Sequence, residues 1–246
     1  MRLRLGQRAD AADVVRPYLA RAPADIYAQI LLDPELAPLA DVPGLLAAPA
    51  LPGTAVIGPD GPSISGAPFA ATDDLIAFVA RLGAGGQPEV QTVTLVVVDR
   101  RTGAARAELR LWHRGVAPDP NLAIANRFLR DLGFVTPAGL ELAGAPYDKR
   151  RLRLSFASGA ALEYRAARPD RGTLRLVGAD GKERGRRPVD LWRDARVDWA
   201  ALWPDAGLAL LAFHHDGSDQ GEGYDSLHGS DGEASLAVVP LGNHAK

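Results

Sequence analysis

The spacing of apolar residues changes near residue 86, and this change limits how the chain can fold. Before it, apolar side chains recur with helical periodicity, most clearly over residues 71–82. After it, apolar and polar residues alternate in short segments that are separated by turn residues. Such alternation is typical of strands that face a core on one side and solvent on the other. We therefore expect helices first and a sheet afterwards.

Three segments before residue 86 are predicted to be helical. A proline fits a helix only near its start, so Pro17 predicts a short helix that begins near Asp13. Residues 25–32 carry apolar side chains at helical spacing and predict a second helix. Residues 71–82 predict a third, because Thr72 is a good N-cap residue and an apolar stripe follows it.

An antiparallel hairpin and a further helix are predicted in the middle of the chain. The segments 90–99 and 105–113 are rich in strand-forming residues and flank a turn at 99–103. Asp119 then opens a helix that Gly133 stops.

The remaining pattern predicts short strands and one short helix. Trp199 and Trp203, four residues apart, predict the helix. Five further strands are predicted over residues 151–157, 161–166, 173–178, 207–214 and 234–241.

These elements predict an α+β fold, with a helical N-terminal region followed by a mostly antiparallel sheet with one or two packed helices. At 246 residues, the chain has room for two small domains or one large one. The Gly- and Pro-containing segment 83–88 suggests domains at 1–86 and 87–246, with one continuous domain as the alternative.

Composition excludes several kinds of chemistry and suggests a compartment. The sequence has no cysteine, which excludes disulfides, thiolate nucleophiles and cysteine-based metal sites. It has no apolar stretch long enough for a membrane span and no signal-peptide pattern at its start, so we expect a soluble, cytoplasmic protein with no membrane partner. Only three of its 28 basic residues are lysine, and with much Ala, Gly and Pro this indicates a GC-rich bacterial genome.

Charge is segregated along the chain. Residues 100–196 hold 21 basic and 11 acidic residues, whereas residues 197–246 hold one basic and eight acidic residues. Such segregation bears on partners rather than on fold. Two interpretations stay open: the two parts face each other or are simply solvated, or the basic part binds an acidic macromolecule.

A loop rich in histidine and carboxylate follows the predicted strand 207–214. Carboxylates suit hard divalent cations, and histidines favour zinc, manganese or iron. Its first interpretation is a flexible, solvated loop. The alternatives are a divalent cation site and a contact surface for a basic partner or for the basic sheet of the same chain. The candidate ligands are His214, His215, Asp216, Asp219, Asp225 and His228.

A second candidate surface comes from arginines on alternating strand positions. In the strand 105–113, alternation puts two arginines and a tryptophan on one face, and the strand 151–157 repeats the arginine pattern. Arginine interleaved with aromatic residues can bind single-stranded nucleic acid, and it also suits an acidic protein. The candidate residues are Arg106, Arg110, Trp112, Arg151 and Arg153.

Function is left with three hypotheses. The sequence contains no phosphate-binding loop, no G-x-S-x-G elbow and no H-E-x-x-H motif. We expect a non-enzymatic binding protein, such as an immunity-type interaction module. The alternatives are a metal-dependent hydrolase that uses the loop 214–233, and a nucleic-acid-binding protein that uses the arginine-bearing sheet face.

Overall fold

The computed structural model describes residues 8–21, 30, 36–42, 45, 55–58, 63–84, 87–113, 121–143, 152–167, 171–189, 191, 195–215 and 233–242. This part of the chain is dominated by β-structure, with twelve strands in three four-stranded, mostly antiparallel sheets. The α+β class with a helical N-terminal region is therefore wrong. Two α-helices and two short 3-10 segments accompany the described strands.

The strands are numbered in chain order. Sheet I has the order β1 (Phe69–Ala71), β2 (Leu75–Ala84), β3 (Gln87–Asp99) and β4 (Ala105–His113). Sheet II has the order β6 (Arg153–Ser155), β7 (Ala161–Ala166), β8 (Gly172–Val177) and β9 (Glu183–Val189). Sheet III has the order β12 (Glu233–Pro240), β11 (Leu208–His215), β10 (Ala195–Trp203) and β5 (Glu141–Ala143). The helices are α1 (Arg8–Arg21) and α2 (Asn121–Asp131), and the 3-10 segments are Ala37–Asp41 and Pro204–Ala206.

The predicted helix over 71–82 is strand β2. Thr72 does accept the backbone N–H groups of Asp74 and Leu75, at 3.3 and 3.0 Å, but this contact closes a turn between β1 and β2. The five consecutive residues 76–80 are all buried. A strand of that kind gives an unbroken apolar run, which periodicity alone cannot distinguish from a helix.

Helix α1 begins five residues earlier than predicted. It starts at Arg8 instead of Asp13, and Pro17 lies in its interior. Its Ala11 and Ala12 are buried in a small apolar cluster with Leu39. Of the predicted helix over 25–32, only Ile30, which is helical and buried, lies within the described residues.

Two compact units can be distinguished. The first comprises residues 1–79, 93–98 and 105–136, and the second comprises 80–92, 99–104 and 137–246. In the first unit, α2 packs on sheet I through Ala125, Phe128 and Leu129, which share a core with Leu109 and Leu111. The helix predicted between Asp119 and Gly133 is thus confirmed as α2.

In the second unit, sheets II and III enclose one apolar core. Leu162 and Leu174 of sheet II contact the same cluster as Leu211 and Phe213 of sheet III. The arrangement is a sandwich, which forms because each strand alternates apolar and polar residues and so has one apolar face to bury.

The two sheets of the sandwich are joined at both edges. At one edge the N–H of Gly242, which follows β12, donates to the carbonyl of Arg184 in β9 at 2.5 Å. A Cβ at Gly185 would collide there with the carbonyl oxygen of Pro240, so only glycine allows this approach. At the other edge the N–H of Ser158 donates to the Glu141 carboxylate at 2.7 Å.

Most strands predicted after residue 86 are confirmed. The hairpin over 90–113 and the strands over 151–157, 161–166, 173–178, 207–214 and 234–241 all correspond to described strands, with ends shifted by a few residues at most. The helix predicted for Trp199 and Trp203 is wrong, since both residues lie in β10. None of the described helices combines the length and the hydropathy that crossing a bilayer requires.

Candidate binding surface

Sheet II presents a row of charged residues across all four of its strands. The register pairs Arg153 with Glu163, Glu163 with Arg175, and Arg175 with Arg186. The next residue along β6, Leu154, is buried in the core of the sandwich. Because alternate strand residues lie on opposite faces, the charged row lies on the outer face of the sheet.

Two glutamates pair with three of these arginines. Arg153 Nη1 lies 2.9 Å from Glu163 Oε1, and Arg175 Nε lies 2.5 Å from Glu183 Oε2. Arg186 Nε is 3.8 Å from the other oxygen of Glu183 and its side chain is 75% exposed. Cross-strand ion pairs at positions that solvent still reaches contribute only about 0.2–1 kcal/mol each. They order the arginine side chains more than they stabilise the fold.

Two further arginines belong to the same face. Arg165 pairs in register with Thr173, and the backbone bond from Ala167 to Arg171 continues the same hairpin by one step. Both arginine side chains are exposed, and within the described part of the chain neither has an ion-pair partner.

We name the outer face of sheet II the arginine face. Its five arginines are Arg153, Arg165, Arg171, Arg175 and Arg186, and its two acidic residues are Glu163 and Glu183. The face therefore carries a surplus of positive charge.

The turn between β8 and β9 holds a carboxylate with a perturbed acidity. Asp180 accepts the backbone N–H of Lys182 at 3.1 Å and a guanidinium N–H of Arg184 at 2.8 Å. The backbone hydrogen bond from Lys182, helped by the positive charge of Arg184, lowers the pKa of Asp180 below its ordinary value of 3.8. Asp180 is therefore ionised at neutral pH.

The structure distributes the predicted arginines over two sheets. Arg153 lies on the arginine face, whereas Arg106 and Arg110 are exposed on β4 of sheet I. Trp112 is described only as a backbone position of β4, and Arg151 lies outside the described residues. The sequence-based prediction omitted Arg165, Arg171, Arg175 and Arg186. The available signal was the strand alternation over 161–166 and 173–178, which places Arg165 and Arg175 on the same side as Arg153.

A histidine and a carboxylate meet on sheet III. His214, near the end of β11, is buried, and its Nδ1 lies 2.8 Å from Asp198 Oδ1 in β10. The register of β10 against β11 shifts between Val197 and Trp199, so Asp198 is the extra residue of a β-bulge. A bulge changes the direction in which a side chain points, and bulges occur often beside functional sites.

The His214–Asp198 contact fixes the orientation of the imidazole. A carboxylate on Nδ1 favours the tautomer with a proton on that nitrogen, as is common for metal-binding and catalytic histidines. The same contact also satisfies the hydrogen-bonding needs of a buried histidine that has no catalytic role. The second carboxylate oxygen of Asp198, Oδ2, is buried and has no hydrogen-bond partner among the described residues.

The other predicted metal ligands do not join His214 in the described part of the chain. Asp216, Asp219, Asp225 and His228 lie outside it, and His215 is described only as a backbone position of β11. Among the described residues, no group of three or more His, Cys, Asp or Glu side chains is placed to hold a metal ion. The metal site therefore stays a prediction.

Comparison with known proteins gives no relative. No family model matches the chain, no curated protein matches it, and no solved structure matches it. Function must therefore be inferred from the charges, contacts and exposure of the side chains on these two sheets.

Proposed function

We propose that this chain is a non-enzymatic binding protein that holds an acidic segment of a partner protein on the arginine face. The observation that carries the proposal is the surplus of arginine on that face. Arg165 lies on β7 and Arg171 directly precedes β8; both are exposed and have no ion-pair partner in the described part of the chain. A guanidinium group binds a carboxylate through two parallel hydrogen bonds, and so suits partners that carry Asp or Glu.

The sandwich supports binding because it keeps the arginines in fixed positions. The arginine face lies on strands whose opposite faces are buried through Leu154, Leu162 and Leu174. Glu163 and Glu183 hold the Arg153 and Arg175 side chains by ion pairs. Side chains that are ordered before binding lose less conformational entropy when the partner arrives.

The composition of the face favours a protein over a nucleic acid. Glu163 and Glu183 lie between the arginines and would repel a continuous line of phosphates. A protein partner can place a basic residue opposite each glutamate. Single-stranded nucleic acid is usually held by stacking on aromatic rings, and no residue on the described outer face of sheet II is aromatic.

The proposal can be tested with a fluorescent polyglutamate peptide and a fluorescent oligothymidylate of similar length. We expect the peptide to bind in an anisotropy titration and the binding to weaken with added salt. The variant R165E/R171E should weaken peptide binding by about tenfold or more, since each reversal replaces an attraction by a repulsion. The matched control is R8E/R81E, which makes the same change in net charge at two exposed arginines outside sheet II.

Two results would contradict the proposal. Equal weakening by R8E/R81E would mean that the peptide responds to net charge alone. Preferential binding of the oligothymidylate, lost in R165E/R171E, would favour the nucleic-acid hypothesis instead.

A further inference from the structure

Strand β4 lies at the edge of sheet I in the described part of the chain. The strand order is β1-β2-β3-β4, so β3 is the neighbour of β4 on one side only. The strand is nine residues long, from Ala105 to His113. At the other edge, β1 has three residues, and Ala71 already exchanges backbone hydrogen bonds with Val135. Of these two edges, β4 offers by far the longer row of backbone groups.

The open side of β4 can be identified from the hairpin turn. The N–H of Asp99 donates to the carbonyl of Ala104 at 2.8 Å, so the carbonyl of Ala104 points toward β3. Alternate residues of a strand direct their N–H and C=O groups to opposite sides. The backbone groups of Ala105, the first residue of β4, therefore point away from β3.

The sequence of β4 is complementary to itself when it is paired antiparallel about its midpoint. Leu109 is the central residue of the strand. Pairing about Leu109 puts Glu108 opposite Arg110 of a second copy, and Arg110 opposite its Glu108. Both residues are exposed. In the same register Arg106 lies opposite Trp112, so no two like charges meet.

We propose that two copies of this chain associate through β4, with a two-fold axis at Leu109. The two copies of sheet I would then form one eight-stranded sheet. Adding a strand to an open edge is a common mode of association, in which the backbone provides affinity and the side chains provide specificity. Glu108 and Arg110 form opposite-charge pairs twice, because a two-fold interface repeats every contact.

Other registers are less suitable. An axis at Glu108 or Arg110 would place like charges opposite each other. An axis at Ala107 or Leu111 would pair only five of the nine residues of the strand. The register about Leu109 alone uses the full strand and matches its charges. On the inner face it brings Leu109 next to its own copy, which extends the apolar core.

The experiment measures molar mass by light scattering and sedimentation at protein concentrations from about 1 µM to about 1 mM. We expect the unaltered chain to dimerise. E108R puts two arginines opposite each other and R110E puts two glutamates opposite each other, so each variant alone should be monomeric. An equimolar mixture of E108R and R110E should again form dimers, because each arginine then meets a glutamate. The double variant E108R/R110E should dimerise by itself.

The mixture also guards against a folding defect, since only folded chains can restore the dimer, and circular dichroism of each variant checks this independently. R81E serves as the control, because it reverses an exposed arginine of sheet I that lies outside β4, and it should leave the dimer intact. Glu108 and Arg110 also make interactions within their own chain. The double variant E108R/R110E changes both side chains but keeps opposite charges facing each other between the two copies. Its dimerisation therefore tests the pairs between copies. A monomer at every concentration would overturn the proposal. A dimer that persists in E108R and R110E, or a mixture that stays monomeric, would also overturn it.

Discussion

His214 and Asp198 are sixteen residues apart in the sequence, and His214 Nδ1 lies 2.8 Å from Asp198 Oδ1. The contact depends on the β-bulge at Asp198, since a regular ladder would pair each residue of β10 with one residue of β11. The exposed fractions are 11% for the His214 side chain and 23% for the Asp198 side chain. The pair is thus largely shielded from solvent, and its loss should affect the sheet.

We expect D198A to lower the free energy of unfolding by about 1–3 kcal/mol, because it leaves a buried imidazole nitrogen without its acceptor. D198N should cost less, since the amide oxygen can still accept a hydrogen bond. Urea unfolding monitored by tryptophan fluorescence measures both. The control is D205A, which removes an exposed carboxylate and should change stability by no more than about 0.5 kcal/mol. A D198A variant as stable as D205A would mean that the contact contributes nothing to the fold.

Metal analysis separates a binding protein from a metal-dependent hydrolase. Since we propose a non-enzymatic function, we expect protein purified without a histidine tag to hold less than about a tenth of an equivalent of zinc, manganese or iron. Its melting temperature should also not change when these cations are added. If instead about one equivalent is bound and H214A releases it, the hydrolase hypothesis gains its first ligand. H244A, which alters a histidine outside the predicted loop, is the matched control.

The sequence predicted the hairpins well because each of their strands has one buried face. Arg153 and Leu154 illustrate this, since one is exposed and the other buried, as alternation requires. The segment 76–80 could not be assigned in the same way, because all its residues are buried and the alternation disappears. Strand β9 was missed for a different reason: it has no apolar side chain before Pro188, so no alternation is visible, and proline is unusual in a strand.

The candidate sites were predicted less completely than the strands. Sequence alternation identified Arg153, but the register that puts Arg175 and Arg186 in one row with it depends on pairing between strands. The Asp198–His214 contact could not be predicted, because it requires a bulge that interrupts the alternation of β10. Local patterns determine which face a residue occupies, whereas the partners of that residue depend on tertiary structure.

Asp180 predicts a defined dependence of stability on pH. Its pKa is lowered in the folded state, chiefly by the backbone N–H of Lys182. Its contribution is therefore fully present above the unfolded pKa, near 3.8, and is lost as the pH falls through the lower folded pKa. D180N should lower the melting temperature slightly at neutral pH, and the difference from the unaltered chain should shrink below about pH 4. Thermal unfolding of both proteins across this range measures it. A difference that stays constant with pH would contradict the assignment to Asp180.

Gly185 tests the edge at which sheets II and III meet. G185A would bring a methyl group against the carbonyl oxygen of Pro240, which is backbone and cannot move without disturbing the end of β12. We expect this overpacking to cost about 1–3 kcal/mol of unfolding free energy, measured by urea denaturation. G58A is the matched control, because a Cβ at Gly58 meets no atom within 4 Å and its φ angle is not in the left-handed region. The two variants make the same chemical change, so any difference between them reports on the local contact. Equal stability of G185A and G58A would mean that the two strands can separate at this edge without loss, and that the core between Leu174 and Leu211 holds the sheets together by itself.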